Sequence, residues 1–103
     1  MQVFRSKSFR PERAWQAALI ANMNGITSRL HWTDQDYHWH VNDGEEVFAV
    51  LDGIVDMHVK VDGDSTVLRL NCGDVLHVEA GDEHKACPIG EARILVVETQ
   101  GSI

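Results

Sequence analysis

Long apolar runs are missing from this 103-residue chain. Stretches such as Ala17–Ala21 and Ile94–Val97 fall far short of the ~20 residues that cross a bilayer as a helix. The opening residues, MQVFRSKSFR, lack the apolar stretch of a secretion signal, so no membrane contact and a cytoplasmic location are expected. Cysteine is scarce. Cys72 and Cys87 lie fifteen apart and make no CxxC, which leaves cysteine-based zinc or redox chemistry without support and predicts two reduced, buried thiols. Positive charge is short as well: nine basic against sixteen acidic residues leave a net charge of −7. A nucleic-acid backbone would be repelled by that balance, so no nucleic-acid partner is expected. No internal repeat, linker or low-complexity tract breaks the chain, and its length suits one domain over 1–103.

Helix signals are also few. Pro11 fits a first helical position and the residues through Ala17 are mostly good helix formers, which predicts one or two turns at most. Turn signals, by contrast, recur every eight to twelve residues: Asn24-Gly25, Asp43-Gly44, Asp52-Gly53, Asp62-Gly63, Gly73-Asp74, Gly81-Asp82 and Gly90-Glu91. Short segments rich in Val, Ile, Leu and aromatics lie between them, the pattern of an all-β sandwich or barrel. Asn24-Gly25, between LIANM and ITSRLHWT, is the strongest hairpin signal. Over Ile54–Val61 the residues alternate: Val55, Met57, Val59 and Val61 share one face, and Asp56, His58 and Lys60 the other. Neither phase of Glu46–Leu51 is polar throughout, which predicts burial on both faces. Val67–Leu70, Val75–Val78 and Ile94–Val97 read as further core strands, for nine or ten strands in two packed antiparallel sheets.

Six histidines stand out in so short a chain. His58 shares a polar face and reads as a surface residue. His77 is a candidate cavity liner, and His31 fits either role. His38 and His40 flank Trp39, and in a strand such a pair points to one side about 6–7 Å apart, close enough to converge on one metal ion. The Asn42-Asp43-Gly44 turn then brings back one carboxylate of Glu45-Glu46, and His84 offers a third imidazole after the Gly81-Asp82 turn. Imidazole suits Zn, Ni, Fe, Co or Cu, and a carboxylate adds affinity for Fe and Mn, so one divalent transition metal is the expected cofactor.

These residues resemble the cupin superfamily, whose first motif is G(X)5HXH(X)3–4E(X)6G. His38, His40, Glu46 and Gly53 follow it with one extra residue before the carboxylate, while Trp32 stands where the opening glycine belongs. The E(X)6G spacing selects Glu46 over Glu45. The second motif, G(X)5PXG(X)2H(X)3N, is met by Gly73, Gly81 and His84, with Glu79 in place of the proline and Pro88 in place of the asparagine. The resemblance covers residues 38–88, about half the chain. It implies a double-stranded β-helix (jelly-roll) barrel of the small single-domain, type-2 cupin kind, with a metal held by His38, His40, Glu46 and His84 at the mouth of a cavity that admits a small-molecule ligand.

Two functions follow from that resemblance. One is a metal-dependent enzyme of dioxygenase, isomerase or lyase type, with Trp39, Phe48, Met57 and His77 as candidate cavity liners and Glu79 as a candidate general base or plain turn residue. The other is a non-catalytic ligand-binding or sensor cupin whose metal is structural. A homodimer is expected too. Residues 1–33 carry +4 and residues 34–103 carry −11, so a basic, partly apolar segment near 1–10 is suited to cross to a partner's sheet and cover an exposed edge.

Overall fold

The computed structural model describes residues 1–99 of the chain. After a single 3-10 turn at Ser6–Ser8 come seven antiparallel strands: β1 (Ala17–Met23), β2 (Ile26–Thr33), β3 (His40–Val41), β4 (Glu46–Val61), β5 (Asp64–Leu70), β6 (Val75–Val78) and β7 (Glu83–Thr99). The β1–β2 hairpin turns at Asn24 (φ 57°) and Gly25 (φ 85°), the two positive φ values that a tight two-residue hairpin requires.

Two long strands turn the ladder into a jelly roll. The first arm of β4 pairs with β6 and with the second arm of β7, which continues to β2 and β1. The second arm of β4 pairs with β5 and with the first arm of β7, which continues to β3. The register jumps at Asp52 and again before Ile54, where Asp52↔Arg93 gives way to Ile54↔Ile89 and β7 carries the extra residues. A bulge of this kind bends both strands together. Gly53 sits at the corner with φ 82°, and a Cβ there would drive into the carbonyl oxygen of Glu91. Among the described residues hydrogen bonding joins seven strands into one sheet that folds over at this corner, where nine or ten strands were expected; the count is lower because the corner interrupts neither β4 nor β7.

The core fills the space between the two halves. Phe48 and Val50 from the first arm of β4 meet Val55 and Met57 from the second, with Ala86, Ala92, Ile94 and Val96 from β7 and Leu70 from β5. Cross-strand registers place Phe48 opposite Val96, Val50 opposite Ile94 and Met57 opposite Ala86, so one inward phase runs through both arms.

Three expectations need correction. No helix forms over Pro11–Ala17. Trp15 takes φ 65° and its N–H donates to the Trp32 carbonyl at 2.9 Å, while Trp32 N–H returns a bond to Gln16, so β2 claims this backbone. The outer phase of β4 is not fully buried: Val47 is 37% exposed, and Val67, Leu68 and Val75 on β5 and β6 are exposed too. Of these two strands only the last residues, Leu70 and Val78, are buried, so they add little to the core. Of the thiols, Cys87 is buried but Cys72 is exposed, its Sγ–H donating to the Leu51 carbonyl.

The N-terminal segment lies against its own chain. Arg93, buried in the corner, donates from Nε to the Phe9 carbonyl (2.9 Å) and from Nη1 to Asp52 (2.8 Å). Arg10 stacks over the Trp32 ring at 5.3 Å. Among the described residues no helix is long and apolar enough to cross a membrane.

Candidate functional site

A cavity opens to solvent between the two halves, lined at one end by Phe48, Met57, Ala86 and Val96 and at the other by His31, His40, Glu46, His84 and Glu98, with Trp15 and Tyr37 beside them. It holds about 100 Å3 of space open to water.

Register explains the polar end. His84 lies opposite His40 on β3 and opposite Val59 on β4, which sets it on the inward phase of the second arm. Glu46 and Glu98 are opposed residues on β4 and β7, and His31 faces Ile94. The rings of His40 and His84 are 4.2 Å apart, centre to centre. His84 Nε2 stands 3.5 Å from Glu46 Oε1, and the Asn42 amide donates to the same oxygen at 3.3 Å.

The imidazoles share one feature. Nδ1 of His40 lies 3.2 Å from the His38 carbonyl, Nδ1 of His84 lies 3.3 Å from the Asp82 carbonyl, and Nδ1 of His31 lies 3.0 Å from the Trp15 carbonyl. A carbonyl only accepts, so each bond assigns the ring proton to Nδ1 and leaves the Nε2 lone pair for another partner. Burial lowers the pKa of His31 and His40 in the first place, outweighing the raising effect of those backbone bonds. Both rings are held neutral, the state in which imidazole binds a metal.

Of the four residues predicted to hold a metal, the structure brings three together: His40, Glu46 and His84. His38 stands apart. The strand begins only at His40, so His38 lies outside the β3–β7 pairing. Its ring is exposed and lies 4.0 Å from the Tyr37 ring and 5.6 Å from His40. As they stand, no three His, Cys, Asp or Glu side chains among the described residues are arranged to hold a metal ion. The nitrogen lone pairs of His40 and His84 beside a carboxylate nevertheless fit a divalent first-row metal in their chemistry.

The other candidates sort cleanly. Phe48 and Met57 line the cavity. Trp39 does not: Lys60 and Lys85 lie over its ring at 4.4 and 5.6 Å, with half-buried His58 beside it. His77 is on the outer wall, its Nε2 2.7 Å from Glu45, because it opposes Val47 rather than Glu46. Glu79 is an exposed turn residue whose N–H donates to Asp82.

The residue that sequence reasoning missed is Glu98. It is 6% exposed, its Oε1 lies 3.6 Å from Arg29, and its buried Oε2 finds no hydrogen-bond partner among the described residues. Burial, with the charge of Glu46 second and Arg29 opposing, pushes its carboxyl up to about 7. Burial also raises Tyr37, helped by Glu98 and Glu46. The signal for Glu98 was parity: it continues the inward phase of Ile94 and Val96.

No protein-family model matches the chain, and neither does any curated protein. Solved structures do. A cupin-2 domain protein from Shewanella frigidimarina is 27% identical, superposes with a TM-score of 0.77, and covers 86% of this chain and 84% of its own. A double-stranded β-helix protein from Klebsiella pneumoniae is 18% identical with a TM-score of 0.76, over 98% of this chain and 91% of that one. The hydroxypropylphosphonic acid epoxidase of S. wedmorenis, solved with fosfomycin, is 18% identical with a TM-score of 0.62, over 71% of this chain and 43% of that enzyme. The jelly roll, the two-motif spacing and these neighbours agree: the chain has the double-stranded β-helix fold of small cupin proteins and is similar to them.

Proposed function

We propose that this cupin binds one divalent transition metal through His40, Glu46 and His84, with His38 as fourth ligand once its ring leaves Tyr37, and acts as a metal-dependent enzyme on a small molecule in the cavity. The carrying observation is the set of backbone bonds to Nδ1, which leaves the Nε2 atoms of His40 and His84 free beside a buried carboxylate. A bound metal would supply Lewis acidity or an activated water. The chain's own part is to fix the two rings through the His38 and Asp82 carbonyls, to hold Glu46 with Asn42, and to limit solvent with Phe48, Met57 and Val96. Such outer bonds orient ligands and raise their basicity.

Calorimetric titration with Zn(II), Ni(II), Co(II), Mn(II) and anaerobic Fe(II), with metal analysis of the purified protein, tests the reading. One metal per chain is expected, lost in His84→Ala. Absence of binding, or equal binding by His84→Ala, overturns it. His38→Ala and His31→Ala then say which imidazole completes the set.

We further propose that the protein is a homodimer. The outer edge of β1 pairs with no strand among the described residues, and Leu19, Met23 and Val3 are exposed there and nearby in sequence. Unpaired edges are commonly covered by a second copy. Light scattering of the full chain, and of a chain lacking residues 1–10, tests this. A monomeric full chain removes it, and a dimer that survives truncation assigns the contact to β1 rather than to the N-terminal segment.

A further inference from the structure

The cavity's walls have two origins. Its lining residues stand on strands, except Trp15 and Tyr37. Tyr37 is fastened to the sheet by its own N–H, which donates to the Ala86 carbonyl at 2.9 Å. Trp15 belongs to the segment before β1, and that segment is held at its two ends. At one end Arg93 Nε–H donates to the Phe9 carbonyl and Arg10 lies over the Trp32 ring. At the other, Trp15 and Gln16 exchange backbone bonds with Trp32. Between the ends, residues 10–14 leave an open polar cleft against Trp32, Asp34 and Gln35.

Trp15 occupies an unfavourable backbone position. Gln16 N–H donates to the Arg13 carbonyl at 3.2 Å, which closes a four-residue turn with Trp15 third, at φ 65°. Glycine takes positive φ in a turn without steric cost, and a bulky side chain there is strained. The ring's contacts hold the strained state. Its Nε1–H donates to the Gln35 carbonyl at 2.9 Å. It meets Tyr37 edge-on at 5.1 Å and His31 at 6.1 Å, and it packs against the core cluster while staying half-buried. The carbonyl of the same residue bonds His31 Nδ1.

A swing outward would give up those ring contacts and release the turn, so local forces oppose one another at this residue. Strain of this kind persists only where the surroundings enforce it, and it is a common source of two-state elements. His84, in the same cavity, is 3% exposed, too little for a molecule larger than water to reach its ring. We infer that Trp15 is the gate of the cavity: its ring closes the space from a strained turn, and small molecules reach His84 when that ring swings out. This inference rests on the reading of the cavity as the ligand site and deepens it by saying how the site is entered.

The test follows a reagent in the metal-free full chain, so that a failure to bind metal and a failure of the gate register separately. Diethyl pyrocarbonate, which acylates neutral imidazole, is added at fixed pH. Modification of His84 is followed by peptide mass spectrometry, with His77 on the outer wall as internal standard. Trp15→Gly removes the ring and suits the turn. It is expected to speed His84 modification about tenfold or more relative to His77, and Trp15→Phe, which keeps a ring, less than about threefold. Equal rates in the native chain and Trp15→Gly overturn the proposal, as does a Trp15→Phe rate that matches Trp15→Gly. A rise matched by an equal loss of exchange protection at the core Ile94 amide overturns it too, since global unfolding would account for both. Should Trp15→Gly not fold, the native chain decides. Deuterium exchange of its Trp15 indole N–H is expected to be independent of low urea, the mark of a local opening. Exchange that follows the urea dependence of global unfolding overturns the gate.

Discussion

Glu46 and Glu45 are consecutive residues on opposite walls. Glu46 opens β4 on the inward phase, 7% exposed, with His84, Asn42 and Glu98 for neighbours. Glu45 stands outside with a side chain 69% exposed, paired to His77 in water. The same split continues along the strand: Phe48 and Val50 are buried, while Val47 is exposed and Ala49 half-buried. A carboxylate on the inner wall is desolvated and fixed by neighbours, and one on the outer wall is screened and replaceable. The difference comes from strand parity alone.

The largest effect that sharpens this contrast lies in the core. Ile94→Ala, at a position with no exposure, is expected to cost about 2–5 kcal/mol in urea unfolding. Val67→Ala on the outer wall of β5 should stay within about 0.5 kcal/mol. Comparable losses would mean that a partner buries the outer wall, in line with a dimer.

Next comes pH. Glu98 has its folded pKa raised from 4.5 to about 7, so the folded chain holds more protons than the unfolded chain between those values. Its contribution is fully present below about pH 4.5 and is lost as pH rises through about 7. The change amounts to roughly 3 kcal/mol across that window. Unfolding of the metal-free protein at pH 5 and pH 8 checks this, and Glu98→Gln should flatten the profile and gain stability at pH 8.

Metal affinity gives a third comparison. Glu46→Gln should weaken metal binding at least about tenfold, whereas Glu45→Gln should change it less than about twofold. Loss of either His40 or His84 should weaken it more than loss of Glu46, because water replaces a carboxylate oxygen more readily than an imidazole. The reverse ranking of the two glutamates would place the wrong wall in the site. The smallest effect is at the outer pair, where His77→Ala should cost less than about 1 kcal/mol, as exposed ion pairs do.

Much of this was legible beforehand. Turn spacing gave the all-β class, Asn24-Gly25 placed the first hairpin, and the distance from Glu46 to the Gly53 corner chose the right glutamate for the inner wall. The parts that were not legible depend on where strands start and what opposes them. His38 rests on Tyr37 because β3 begins two residues later and leaves it outside the ladder. His77 faces outward because it pairs with Val47. Trp15 leaves the helical region because β2 binds its backbone. Glu98 belongs to neither sequence motif; its parity with Ile94 and Val96 hinted at an inward side chain, and its register with Glu46 placed it in the site. Local pattern reports the phase within a strand; it does not report the partner that decides which phase is inside.

The last strand also sets an order of events. β7 supplies both His84 and Glu98, and it pairs with β2, β3 and β4; the Ile26↔Thr99 match joins residues seventy-three apart. Contacts so distant along the chain form slowly, after the entropy of closing a large loop has been met. A growing polypeptide that has reached β6 therefore has the β1–β2 and β4–β5 pairs but lacks His84, Ala86, Val96 and Glu98, the part of the cavity lining that β7 brings. Until β7 emerges, the apolar inner faces that it covers stay open to other chains, the kind of surface that favours aggregation.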